Sequence, residues 1–93
     1  MIRSFACHET EKIACGEVSR RLPQNIQSVM HRKLRMLNAA DQIKDLLIPP
    51  SNHLEKLKGD RKNQYSIRIN NQWRICFIWG IHGPINVEII DYH

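Results

Sequence analysis

The chain has 93 residues, 14 lysines and arginines against 9 aspartates and glutamates, and a formal net charge of +5. So short a chain makes one small domain, residues 1–93, whose modest core argues against a deep substrate cavity and for a surface site on a large partner. The basic excess favours polyanions through phosphate neutralisation and counterion release, which puts nucleic acid first among partner classes. Cys7, Cys15 and Cys76 form no C-x-x-C pair and leave an odd thiol, which argues against a disulfide scaffold and for a reducing compartment. No apolar stretch approaches the roughly 18 residues of a membrane span, and the start MIRSFACHET lacks a signal-peptide layout. A soluble, cytoplasmic protein with no membrane partner is expected.

In chain order, Ile2 to Phe5 alternates as a short strand. Glu9 to Cys15 places acids first and Gly16 as a stop, the polarity of a short helix. Pro23 suits a first helical turn, and Ile26, Val29, Met30, Leu34 and Leu37 then recur at three- and four-residue steps, the stripe of an amphipathic helix. His31, Arg32 and Arg35 fall largely off that stripe and make its exposed face basic. Asp41 is placed to cap a further helical segment through Leu47, which Pro49-Pro50 ends.

The second half changes character. Lys56 to Gln64 is a basic run around a Gly59-Asp60 turn. Tyr65, Ile67 and Ile69 alternate with polar residues, as do Trp73, Ile75, Phe77 and Trp79 with Arg74, Cys76 and Ile78, so two half-buried antiparallel strands are expected. Keeping both apolar sets on one face sets Ile69 across from Trp73 and Arg68 across from Arg74. A further hairpin centred near His82-Gly83 pairs Arg74 with Asp91, whereas a one-residue slip moves Asp91 to the other face. Trp73, Trp79 and Tyr65 share the apolar face and are expected in the core rather than as base-stacking platforms. The histidines show no ligand spacing, so no metal and no cofactor is expected.

The blocks Leu57-Lys58-Gly59-Asp60, Ser66-Ile67-Arg68-Ile69, Gln72-Trp73-Arg74-Ile75 and Asp91-Tyr92-His93 stand in the order and at the spacing of one family. With them the chain strongly resembles, over nearly its whole length, the HigB-type toxins of bacterial toxin-antitoxin systems within the RelE/ParE superfamily. The resemblance implies an α+β, microbial-ribonuclease-like RelE fold: an N-terminal strand, a helical hairpin, then an antiparallel sheet whose concave side binds messenger RNA in the ribosomal A site. It also implies a HigA-like helix-turn-helix antitoxin as partner, with operator DNA bound only through that antitoxin. Its implied activity is a metal-independent endoribonuclease, an mRNA interferase that inhibits translation.

By matching motif positions, the resemblance implies Arg74, Asp91, His93, Lys58 and Tyr92 as catalytic residues, with Arg68, Lys56, Arg61 and His53 as RNA contacts. Arg74 and Lys58 suit the scissile phosphate and the charge built in the transition state. Histidine exchanges protons near neutral pH, which recommends His93 as acid or base, with Asp91 orienting it. Tyr92 suits a flipped-out base, or else closes the rim of the core. Described relatives carry a histidine where Glu55 stands, so the general base lies open among Asp91, His93, His53 and Glu55. The alternatives on the same scaffold are a ParE-like inhibitor of DNA gyrase and a weakly catalytic or non-catalytic ribosome-binding relative.

Overall fold

The computed structural model describes residues 1–92. Helix α1, His8–Ala14, opens with Glu9 and Glu11 in its first turn and ends at Cys15, after which Gly16 takes φ 85°, a left-handed conformation that suits glycine. A 3₁₀ turn at Gln24–Ile26, entered from Pro23, feeds α2, Gln27–Ala39. The connection between the helices is tied by side chains rather than by regular structure. Gln27 Nε2 donates to the carbonyls of Ser19 (2.7 Å) and Leu22 (2.9 Å), and the buried Ser19 hydroxyl donates to Glu9 at 2.6 Å.

Four antiparallel strands follow: β1 at Glu55–Lys56, β2 at Tyr65–Arg68, β3 at Trp73–Gly80 and β4 at Gly83–Asp91, neighbours in that order. One face of the sheet packs on the helices. Ile67, Ile75, Phe77, Val87 and Ile89 from the sheet meet Ile13, Met30, Leu34 and Leu37 from the helices, with Leu46 closing one end. Trp73, Trp79 and Tyr65 are partly buried against this core, and Phe77 stands between Tyr65 and Trp79 with ring centroids 6.3 and 6.4 Å away. The aromatic residues of the strands therefore serve packing, as their alternation indicates.

Three local expectations change. Ile2 to Phe5 does not form a full strand: it runs parallel to β4 and makes one bridge, Phe5 to Val87. The partner segment is irregular there, because Asn86 takes φ 54° and gives its amide to the Ser4 hydroxyl at 2.9 Å instead of to a ladder. Asp41 is not a cap. The segment through Leu47 is a 3₁₀ helix, Ile43–Leu47, capped by Gln42, and it is Asp45 whose carboxylate accepts from the amides of Asp41 and Gln42, both at 3.0 Å.

The third change concerns register. Arg68 does stand across from Arg74. Arg74, however, pairs with Ile90, and Asp91 pairs with Trp73. The turn is Ile81-His82, closed by Gly80 and Gly83, and a register shift opposite Phe77 then lets Asn86 and Val87 together span one position of β3. That extra residue keeps Val87 and Ile89 in the core and changes which terminal side chains share a face with Arg74.

Candidate functional site

The sheet face away from the helices carries a polar row. Glu55, Ser66, Cys76 and Glu88 lie side by side across β1, β2, β3 and β4, with Arg68 and Arg74 on the adjoining rung. Apolar residues hold the opposite face in the core, so strand alternation alone forces this set outward. Arg74 is its centre, with a side chain only 13% exposed. One guanidinium nitrogen, Nη1, donates to Ser66 Oγ at 3.0 Å and to the His53 carbonyl at 3.2 Å, and the other, Nη2, lies 3.7 Å from Glu55 Oε2.

Tyr92 closes the cluster. Its ring centroid lies 5.2 Å from the Arg74 guanidinium carbon, a cation–π arrangement, and its hydroxyl donates to Glu55 Oε1 at 3.3 Å. Beside it opens a groove of about 430 Å³ lined by Glu55, Lys56, Leu57, Lys58 and Tyr92. Lys56 and Lys58 are exposed there, so two ammonium groups border a carboxylate and a phenol.

Asp91 faces away from Arg74, as its pairing with Trp73 requires; its carboxylate accepts from Gln72 Nε2 at 3.1 Å, while the Tyr92 amide donates to the Gln72 carbonyl at 2.6 Å. Gln72 thus grips both residues and sets the Tyr92 ring against Arg74. His93, expected as proton handler, lies outside the described residues. His53 contributes its carbonyl to the cluster and takes a left-handed conformation, φ 44°. Arg68 is hydrogen-bonded to Asn71 in the β2–β3 turn.

Arg61 is engaged elsewhere: Nη1 donates to Glu88 at 2.8 Å and to Gln64 at 3.1 Å, which ties the basic turn to β4. The Glu88 bond raises its pKa further, so its charge is fixed. Beneath it, burial pushes the Cys76 thiol up to about 11 and keeps it neutral. Among the described residues no group of three or more histidines, cysteines or carboxylates is arranged to hold a metal ion.

Ser66 and Glu55 complete this site, and motif matching does not nominate Ser66. A signal for it existed, since a serine between Tyr65 and Ile67 faces out of the core onto the rung beside Arg74. Lys33 is a second residue that motifs pass over. It sits on the apolar stripe of α2, three residues after Met30 and four before Leu37, where a lysine is out of pattern.

The chain is similar to known proteins in sequence and in fold. The family model described as RelE-like toxin of type II toxin-antitoxin system HigB matches residues 10–93. The chain is 45% identical over 74 residues to Toxin HigB-1 of Vibrio cholerae, covering 80% of this chain and 77% of that protein. It is 42% identical over 78 residues to an uncharacterized protein of Haemophilus influenzae, covering 84% and 76% of the two. In structure it resembles a chain of the YoeB-YefM complex from Staphylococcus aureus, with a TM-score of 0.60 at 17% identity over 100% of this chain and 95% of that one, a likeness of fold. With the α+β fold, two helices against a four-stranded antiparallel sheet, and motifs matched along most of its length, this chain belongs to the HigB-like family of RelE-like toxins of type II toxin-antitoxin systems.

Proposed function

We propose that this toxin is a ribosome-dependent endoribonuclease, which cleaves translated messenger RNA in the cytoplasm and is neutralised by a HigA-like helix-turn-helix antitoxin. The observation that carries this reading is the preset Arg74 guanidinium, held by Ser66 and His53 under the Tyr92 ring, beside a carboxylate and a lysine-bordered groove. A fixed cation whose hydrogen bonds are made before substrate arrives needs little reorganisation to stabilise charge building on a phosphate.

In this reading the 2′-oxygen of the RNA forms a bond to phosphorus while the bond from phosphorus to the 5′-oxygen breaks. Glu55, ion-paired to Arg74 within the cluster, takes the 2′-hydroxyl proton. Arg74 and Lys58 hold the phosphate, and His93 returns a proton to the 5′-oxygen. Tyr92 orients both Glu55 and the RNA base stacked above it. Asp91 acts through Gln72 to position Tyr92, while Lys56, Arg68, Arg61 and His53 border the path of the strand.

The test is purified toxin on ribosomes carrying a defined messenger, with cut sites mapped by primer extension. Cuts within the message when the A site is empty, absent with Arg74→Ala, are the expected result. Growth arrest on induction without new cuts in any translated message would refute the reading, and DNA-damage signalling in that case would point to gyrase.

A further inference from the structure

Lys33 is 6% exposed within the helix–sheet core, where an ammonium is tolerated only with its donors matched. Its Nζ donates to Asn52 Oδ1 at 2.5 Å. Burial, with a smaller repulsion from Arg32, lowers its pKa from that of an ordinary lysine. Asn52 is itself fully buried, and its Nδ2 donates to the Leu46 carbonyl and to Met36 Sδ, both at 3.1 Å. The next residue along the chain is His53, whose carbonyl holds Arg74 Nη1. A methionine at position 33 would fill the apolar stripe without desolvating a charge, so packing alone gives no reason for a lysine there.

We propose that Lys33 and Asn52 are positioning residues for Arg74: the buried Lys33–Asn52 bond anchors the loop that presents the His53 carbonyl, and that carbonyl aims the guanidinium. The inference rests on the reading of Arg74 as phosphate holder. It assigns a part in catalysis to a residue of α2 on the far side of the sheet from the groove. Lys33 touches no substrate; its effect passes through Asn52, one peptide unit and one hydrogen bond.

The experiment compares wild type, Lys33→Met, Lys33→Gln, Asn52→Ala and an Ile13→Val control in two assays. One is cleavage on programmed ribosomes, and the other is the side-chain resonance of Arg74 in ¹⁵N spectra, assigned with Arg74→Lys. Lys33→Met is expected to lower the maximal cleavage rate about tenfold or more with the half-saturating ribosome concentration unchanged, since small misplacements of a catalytic group cost this much. The Arg74 resonance should move, Lys33→Gln, which keeps a donor, should recover most of the rate, and Asn52→Ala should repeat the Lys33→Met defect. Wild-type cleavage by Lys33→Met, an unmoved Arg74 resonance, or losses that follow only the thermal midpoint as in the Ile13→Val control would overturn the proposal. Should Arg74→Ala cleave normally, the catalytic reading fails by itself, and the Arg74 resonance still reports whether Lys33 sets the guanidinium.

Discussion

Arg74 shows how much a single side chain draws from its neighbours: two hydrogen bonds, one ion pair and one aromatic face converge on it. Replacing it by alanine should lower cleavage by about a hundredfold or more, the scale of losing one oriented charge-stabilising group. Glu55→Gln keeps the size of the carboxylate and its contact with Tyr92 but removes the basic oxygen. Cleavage should fall while ribosome binding, read by co-sedimentation, stays constant; equal loss of both would assign Glu55 to binding instead. The thiols offer an independent check on burial. Cys15 is exposed, whereas Cys76 is fully buried with its thiol raised to about 11, so a maleimide should label Cys15 in the native protein and reach Cys76 only after unfolding.

At the scale of elements, the join between α1 and α2 depends on Glu9, whose pKa is lowered chiefly by the hydrogen bond from Ser19 and then by nearby cations. A carboxylate with a depressed folded pKa contributes stability that is complete above its ordinary value of 4.5 and is lost as pH falls through the folded value. The thermal midpoint should therefore drop below pH 4.5 more steeply in wild type than in Ser19→Ala, and parallel curves would remove Glu9 from the account. The elements themselves were legible in the sequence to different depths. The stripe from Ile26 to Leu37 and the parity that sets Arg68 across from Arg74 follow from side-chain period alone. The strand β1 does not, because two exposed residues, Glu55 and Lys56, carry no period, and with it went the place of Glu55 beside Arg74. The Arg74–Asp91 pairing gives way to the one-residue slip for local reasons: the turn lies at Ile81-His82 rather than His82-Gly83, a left-handed Asn86 takes up one residue of the difference, and no alternation rule foresees where a strand will do so.

Over the whole molecule, the helices cover one face of the sheet and the candidate site occupies the other, so stability and activity separate by side except where Lys33 and Asn52 link the two. Phe77→Ala, in the middle of the shared core, should cost roughly 3–5 kcal/mol in chemical denaturation, since nothing nearby can refill the space of a buried ring. Lys58→Ala, on the open side, should leave stability unchanged and weaken binding to single-stranded RNA of any sequence. The slope of log affinity against log salt should shrink by about 0.7 for that one lost phosphate contact; an unchanged slope would mean that Lys58 does not touch the backbone.

The irregular pair Asn86-Val87 sets how this strand tolerates changes of length. It works as a phase adjuster: one residue too many is stored there, and everything after it is handed on in step with β3. A shortened chain lacking Asn86 should still deliver Tyr92 to Arg74, because Val87 then simply takes the position opposite Phe77. Removing Glu88 instead should throw Ile89 outward and Ile90 inward, and the tyrosine with it. Of two single-residue deletions only two positions apart, one should spare the toxin and the other should disarm it.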